Sequence, residues 1–302
     1  MPVHGDNLRT KLGSSSEYSD AKGQQFLAEI LPKYEAWLGA NEELGGPFTE
    51  RSSNDAATIK KRVQLFEEYK AFLDQKQYAE HFDSRSNLQS SVLEEFFEYL
   101  FRDLVTSFVG NPLMGKSHAF KDIFFAPRCY SEMIIEPAAK IETKDHDFII
   151  GVRMYARLSC SREASEPAQD LEWDLPAVAI ECKTYLDKAM LESSSMSAEQ
   201  LKARNPNGLY IVVMEYIKLA EDVNLRKYKV DQMYVLRCQK NIDRKYRVNL
   251  DPVSRTDTCS GWHQNPINAD AVIHLYETVR SHLSQDWEGT GMSGRIERGY
   301  LL

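Results

Sequence analysis

Apolar residues recur at helical spacing through the first third of the chain. Three stretches carry this pattern: residues 24–38, 55–80 and 87–108. Pro32 interrupts the first stretch and predicts a kink or a split in that helix. The first twenty residues are polar and rich in serine, and they predict a loose tail. The N-terminal part of the chain is therefore expected to be helical.

After Pro127 the pattern changes to short runs of β-branched and aromatic residues bounded by turn residues. These runs predict strands at residues 148–158, 176–182, 209–216 and 232–237. Residues 159–174 are interpreted as a loop inserted between the first two strands. Residues 187–204 predict a helix with a break at residues 193–197, and a last helix is predicted at residues 268–283. A strand, helix, strand succession indicates a crossover within a mixed sheet.

The predicted fold class is α/β, with a mixed central sheet flanked by helices and an N-terminal helical region. Residues 1–85 are assigned to the tail and the helical region, and residues 86–302 to the core with a C-terminal part. The sequence shows no internal repeat and no sharp linker, so one compact unit is expected. A length of 302 residues with 42% hydrophobic positions is typical of a globular protein.

The five cysteines are isolated from one another and form no CxxC pair. This spacing argues against a disulfide scaffold and a structural zinc site, and favours reduced thiols in the cytoplasm. The sequence contains no run of eighteen apolar residues, and its N-terminus lacks the apolar core of a signal peptide. We therefore expect a cytoplasmic location, and neither membrane insertion nor secretion.

The net charge of −8 hides a basic segment at residues 226–255. Nine Lys or Arg residues are accompanied by three acids there, so the segment carries +6 and the rest of the chain −14. A polyanion could bind this local surface on an otherwise acidic protein. A solvated loop and strand edge is the alternative interpretation.

The most informative chemistry lies at Glu181-Cys182-Lys183, at the end of a predicted apolar strand. The pattern Glu-x-Lys occurs three times in this chain, but only here does it follow a strand and have an acidic residue, Asp147, upstream at another strand. Alternation along the strand places Glu181 and Lys183 on one face and Cys182 on the other, so the thiol is expected to pack in the core. Asp145 is a weaker alternative acid.

Ionisable groups beside an apolar strand are costly to desolvate unless they pair or bind a ligand. Two carboxylates with a backbone carbonyl make a hard oxygen site suited to Mg²⁺. A strand-end salt bridge between Glu181 and Lys183 is the structural alternative.

These residues resemble the core of the PD-(D/E)xK nuclease superfamily. The resemblance rests on Asp147 to Gly151, on Ile180 to Glu192 and on Leu209 to Val213, and it covers residues 85 to 240. More narrowly, the chain resembles type II restriction endonucleases of the BbvCI-like kind, whose two non-identical subunits cut an asymmetric site. It departs from the pattern because His146, and not proline, precedes Asp147, and because the gap to Glu181 is long.

The resemblance implies a restriction-endonuclease-like fold and Mg²⁺-dependent hydrolysis of double-stranded DNA at a short specific sequence. Asp147, Glu181 and the backbone carbonyl of Cys182 would hold the Mg²⁺. Lys183 would orient a water molecule or neutralise developing charge. His146 is a further residue that could touch a phosphate.

Family members often add an acid from the helix before the sheet, where this chain offers Glu94 and Glu95. With Leu93 at the centre of the apolar stripe, Glu94 lies about 100° away at its border and Glu95 about 200° away, facing solvent. Glu94 is therefore favoured as the auxiliary acid and Glu95 is the second choice. The structural alternative is that these glutamates have no catalytic part and only complement the positive end of the helix dipole at the N-terminus of the helix.

Phosphate and base contacts are assigned to the basic segment. The candidate residues are Arg237, Lys240, Arg244 and Lys245. Cutting both strands requires two catalytic centres, so a homodimer or a heterodimer with a related subunit is expected. The alternatives are a repair or transposition nuclease without sequence specificity, a DNA-binding module without catalysis, and a protein that binds only other proteins.

Overall fold

The computed structural model describes residues 2–82, 86–162, 167–220, 222–241 and 263–287. Eight α-helices lie in these ranges: α1 (Val3–Leu12), α2 (Ala21–Glu42), α3 (Asp55–Leu73), α4 (Lys76–His81), α5 (Leu88–Thr106), α6 (Tyr130–Ile135), α7 (Lys188–Arg204) and α8 (Ala269–Ser284). The same ranges contain five strands: β1 (Pro112–Phe125), β2 (Ala139–Ser159), β3 (Ala168–Leu186), β4 (Leu209–Ile217) and β5 (Gln232–Val235). None of these helices is both long and apolar enough to cross a lipid bilayer.

The five strands form one mixed sheet in the order β1-β2-β3-β4-β5. β2 pairs with β1 and β3 in antiparallel fashion, whereas β3, β4 and β5 run parallel. Helix α7 makes the crossover from β3 to β4. The predicted α/β fold with a mixed sheet flanked by helices is confirmed.

Each face of the sheet packs against a different set of helices. Val178, Ile180 and Cys182 of β3 join the core formed with α1 to α5 and α8, and Ala179 joins the core formed with α7. This is the alternation expected for a strand. The first core extends from Leu8 to Val279, so the N-terminal helices and the sheet share it. The division at residue 85 stays a prediction.

The N-terminal segment is not a loose tail, because residues 3–12 form helix α1. His4 is fully buried, and its ring nitrogens lie 2.8 Å from Ser91 Oγ and 2.7 Å from Tyr69 Oη. The backbone N–H groups of His4 and Gly5 donate to Glu95. Tertiary contacts of this kind can hold a polar helix that has no apolar stripe of its own.

Several boundaries also differ from the sequence-based expectation. Residues 168–174 belong to β3 and pair with β2, so the region expected to be an inserted loop is largely a β-hairpin arm. The helix expected at residues 55–80 divides into α3 and α4. α7 is continuous through residues 193–197. Strand β1 was not predicted, because its residues do not alternate cleanly between apolar and polar.

Because His4 is buried, we expect the stability of the protein to depend on pH. Burial, aided by the positive charge of Lys70, lowers the pKa of His4 from 6.5 to about 3. The unfolded chain therefore takes up a proton near pH 6.5 that the folded protein does not bind, so stability is complete above this pH and falls below it. Between pH 7.5 and 5.5 the loss attributable to His4 is about 1.4 kcal/mol. Urea unfolding of the wild type and of His4→Gln at both pH values measures it, and an equal pH dependence in the two proteins contradicts it.

Candidate active site

The candidate site lies where β2 and β3 separate. Phe148 and Ile180 form the last pair of this antiparallel ladder, and beyond them β3 continues beside β4 alone. At the next position on each strand lie Asp147, which precedes Phe148 in the chain, and Glu181, which follows Ile180. Opposite residues in an antiparallel pair point to the same face, so the fork brings the two carboxylates together.

Lys183 joins these two carboxylates. Its Nζ lies 2.8 Å from Glu181 Oε1 and 3.3 Å from Asp147 Oδ2. The backbone N–H of Cys182 donates to the same oxygen of Asp147 at 2.8 Å. We call Asp147, Glu181 and Lys183 the fork cluster. The structure thus brings together three of the residues that the sequence singled out.

The charges of the fork cluster stabilise one another. Burial would lower the pKa of Lys183, but the adjacent Asp147 and Glu181 raise it well above its usual range. Burial would likewise raise the pKa of Glu181, but Lys183 and a hydrogen bond from Tyr210 outweigh it and the pKa is lowered. The cluster therefore holds an ammonium group and an ionised Glu181 at neutral pH.

Tyr210 of β4 is a site residue that the sequence analysis missed. Its hydroxyl donates to Glu181 Oε2 at 2.6 Å, and its side chain is fully buried. Glu181 pairs with Val212 in the parallel register, which places Tyr210 on the same face two residues earlier. A tyrosine two residues before the position paired with Glu181 was the available signal, but it depends on the register between the strands. Tyr210 fixes one oxygen of Glu181.

His146 lies beside the cluster, in the core. Its ring centroid is 5.9 Å from that of Tyr210 in an edge-to-face arrangement. The ring is buried, and its Nδ1 has no hydrogen-bond partner among the described residues. Burial lowers the pKa of His146, so the ring is neutral at pH 7. The contact with a phosphate suggested for it stays a prediction.

Helix α5 supplies two glutamates with different surroundings. Glu94 accepts a hydrogen bond from Lys116 of β1 at 3.1 Å. Burial, and then repulsion from the nearby Asp147, raise the pKa of Glu94. Glu95 is fully buried and accepts hydrogen bonds from α1 and from Tyr34 and Tyr99.

Glu95 therefore does not face solvent, which corrects the helical-wheel expectation. The expectation failed because α5 is buried on nearly all sides, so the border of the apolar stripe carries no information about exposure. The contacts of Glu95 serve to fix α1, whereas Glu94 is the glutamate that is electrostatically coupled to Asp147.

The structure also corrects the role expected for Arg237. Its side chain is fully buried, and it donates to Glu215 at 2.9 Å, to Glu67 at 2.9 Å and to the carbonyl of Asn265 at 2.6 Å. A guanidinium held by two buried carboxylates is not available to DNA. Lys240 is exposed beside the end of β4, where it bridges to Ile217. Arg244 and Lys245 lie outside the described residues.

The donor set of the fork cluster fits Mg²⁺. Across the described ranges, no three His, Cys, Asp or Glu side chains are grouped so that they could hold a metal ion. Mg²⁺ does not require such a cage, because it commonly binds through one or two carboxylates and keeps several waters. Asp147 and Glu181 provide two carboxylates that converge on one point, marked by the ammonium of Lys183. The carbonyl of Cys182 belongs to the residue that directly follows Glu181.

Comparisons with known proteins give the family and the fold of the chain. Residues 85–301 match the family model described as Bpu10I restriction endonuclease. Among solved structures, the chain is similar to one described as "native BbvCI A2B2 tetramer at low resolution", with a TM-score of 0.66 and 19% sequence identity. The match covers 93% of this chain and 96% of that one, and it shows the fold. The comparison with curated proteins gives no match.

Proposed function

Because the chain belongs to the Bpu10I restriction endonuclease family, whose reaction is site-specific cleavage of DNA, we propose that it hydrolyses phosphodiester bonds with Mg²⁺ at the fork cluster. The observation that carries the proposal is the convergence of Asp147 and Glu181 on Lys183 where β2 and β3 separate. A simple strand-end salt bridge would need only one of these carboxylates.

Each residue of the cluster has a distinct part in this proposal. Asp147, Glu181 and the carbonyl of Cys182 would hold the cation, which when bound supplies Lewis acidity toward a phosphate oxygen. Tyr210 keeps Glu181 oriented and ionised. Lys183 places a positive charge where the negative charge of the phosphate increases during hydrolysis. Glu94 is the proposed auxiliary acid, since it is buried close to Asp147, and burial and then the charge of Asp147 raise its pKa.

Cleavage of both DNA strands requires a second catalytic centre. We propose that this chain pairs with another subunit that has its own fork cluster, either a second copy or a related chain. The similar BbvCI structure is an A2B2 tetramer, which supports pairing with a related chain. The proposed compartment is the cytoplasm, where reduced thiols such as Cys129, Cys160, Cys182 and Cys238 persist.

The test is digestion of a plasmid by the purified protein, with sequencing of the ends. We expect discrete fragments, or a nick at a fixed site if the second strand needs an unlike subunit, and we expect EDTA to abolish cleavage. A smear of fragments would show a nuclease without sequence specificity. Specific DNA binding without cleavage in Mg²⁺ or Mn²⁺, also after co-expression with a related subunit, would show a DNA-binding module and refute the proposed hydrolysis.

A further inference from the structure

A β-bulge between β1 and β2 places Lys116 beside the candidate active site, because Lys116 of β1 lies opposite both Asp147 and Phe148 of β2. The register between β1 and β2 shifts between Gly115 and Ser117. Gly115, which precedes Lys116, has φ +117°, and a Cβ there would lie 3.0 Å from Glu98 Oε1, so this position requires glycine. The following residue, Lys116, reaches helix α5, where its Nζ lies 3.1 Å from Glu94 Oε2. Bulges beside active sites often redirect a side chain in this way.

Lys116 presents its ammonium to solvent while it remains bonded to Glu94. Its side chain is 51% exposed, whereas that of Glu94 is 8% exposed. An ammonium group has three donors, and the bond to Glu94 uses one. Lys183, in contrast, is 26% exposed and donates to both Asp147 and Glu181. Lys116 is therefore the cation with more capacity to bind an incoming anion.

The charge of the site also favours a role for Lys116. Glu94, Asp147 and Glu181 contribute three negative charges, and Lys183 and Lys116 contribute two positive ones. The site therefore carries −1, and a divalent cation would bring it to +1, which suits a phosphodiester that carries one negative charge. Burial would lower the pKa of Lys116, but Glu94 and then Asp147, which lies opposite it in the bulge, raise it.

We propose that Lys116 binds a backbone phosphate of the DNA at or beside the bond that is cut, and keeps its bond to Glu94 while it does so. This inference rests on the proposed function, because it names how the same site holds its substrate. The alternative is a purely structural ion pair that orients Glu94. The two roles differ in their effect on DNA binding, because only a direct phosphate contact releases counterions from the DNA.

The test measures the salt dependence of DNA binding for Lys116→Met and Lys116→Arg. The probe is a short duplex selected from a random-sequence pool by its binding to the wild-type protein, in Ca²⁺ to prevent cleavage. We expect Lys116→Met to reduce the slope of log K against log salt by about 0.9, the value for one lost phosphate contact. Lys116→Arg keeps the charge and should restore the slope.

The matched control is Lys121→Met, since Lys121 lies on the same strand and also pairs with a glutamate, Glu142. Its slope should equal that of the wild type. An unchanged slope in Lys116→Met, even with slower cleavage, would overturn the phosphate contact and leave only the ion pair. This readout does not depend on cleavage: if wild-type protein binds the duplex but does not cut it in Mg²⁺, the proposed hydrolysis fails while the slope still decides the role of Lys116.

Discussion

Asp147→Asn is expected to lower Mg²⁺-dependent cleavage by about three orders of magnitude or more. A bound metal ion is worth several kcal/mol of transition-state stabilisation, and each 1.4 kcal/mol corresponds to about a factor of ten in rate. The amide keeps the shape of the side chain and one oxygen that can accept from the N–H of Cys182. The loss should therefore appear in single-turnover cleavage and not in the unfolding transition.

DNA binding separates catalysis from folding in this experiment. Removal of one negative charge from the fork cluster should leave affinity for the duplex unchanged or higher in the absence of a divalent cation. Asp145→Asn is the matched control, because Asp145 lies two residues earlier on β2, is exposed and pairs with His118. Its cleavage rate should stay within a few fold of the wild type. Cleavage by Asp147→Asn at the wild-type rate would refute the proposed role of the cluster.

Arg237→Met is expected to destabilise the protein by about 3–5 kcal/mol. The substitution leaves Glu67 and Glu215 buried without the guanidinium that they share. Lys70 lies 3.4 Å from Glu215 but also pairs with Asp74, so it compensates only in part. The carbonyl of Asn265 loses its donor as well. Urea unfolding followed by circular dichroism measures the change.

This experiment also tests the structural role of Arg237 against the DNA contact expected from the sequence. Lys240→Met is the control, because Lys240 is exposed and its replacement should change stability by no more than about 0.5 kcal/mol. The folded fraction of Arg237→Met should bind DNA with the wild-type salt slope. A loss of affinity with unchanged stability would contradict the buried ion-pair network.

The grouping of the fork cluster could be predicted because it depends on local order. An acidic residue at one strand, followed by Glu-x-Lys at the end of the next apolar strand, requires only the alternation of side chains to bring three groups to one face. Cys182 was expected to pack in the core for the same reason, and it is buried there. The mixed sheet followed from the strand, helix, strand succession around α7.

The roles of Arg237 and Glu95 could not be predicted, because their partners are distant in the sequence. Arg237 pairs with Glu67, which is 170 positions away, and Glu95 accepts from His4, which is 91 positions away. A charged residue is usually exposed, so a basic segment is reasonably interpreted as surface. Only its ion pairs with Glu67 of α3 and Glu215 of β4 show that this arginine is internal.

Lys116 and Tyr210 were missed for a different reason. Lys116 lies in β1, whose residues do not alternate cleanly between apolar and polar, so the strand itself was not recognised. Tyr210 was recognised as a strand residue, but its hydroxyl gains significance only from the register between β3 and β4. Pairing register is set by long-range packing, which a single strand pattern does not contain.

The shared core affects the order in which the protein can become active during synthesis. Tyr276 of α8 stacks on Phe101 of α5, and Arg280 pairs with Asp55 of α3. When residue 220 has emerged from the ribosome, every residue of the fork cluster has emerged as well. Helices α3 and α5, however, still lack their contacts with α8. We therefore expect nascent chains to stay inactive in DNA cleavage until α8 has emerged from the ribosome and docked against α3 and α5.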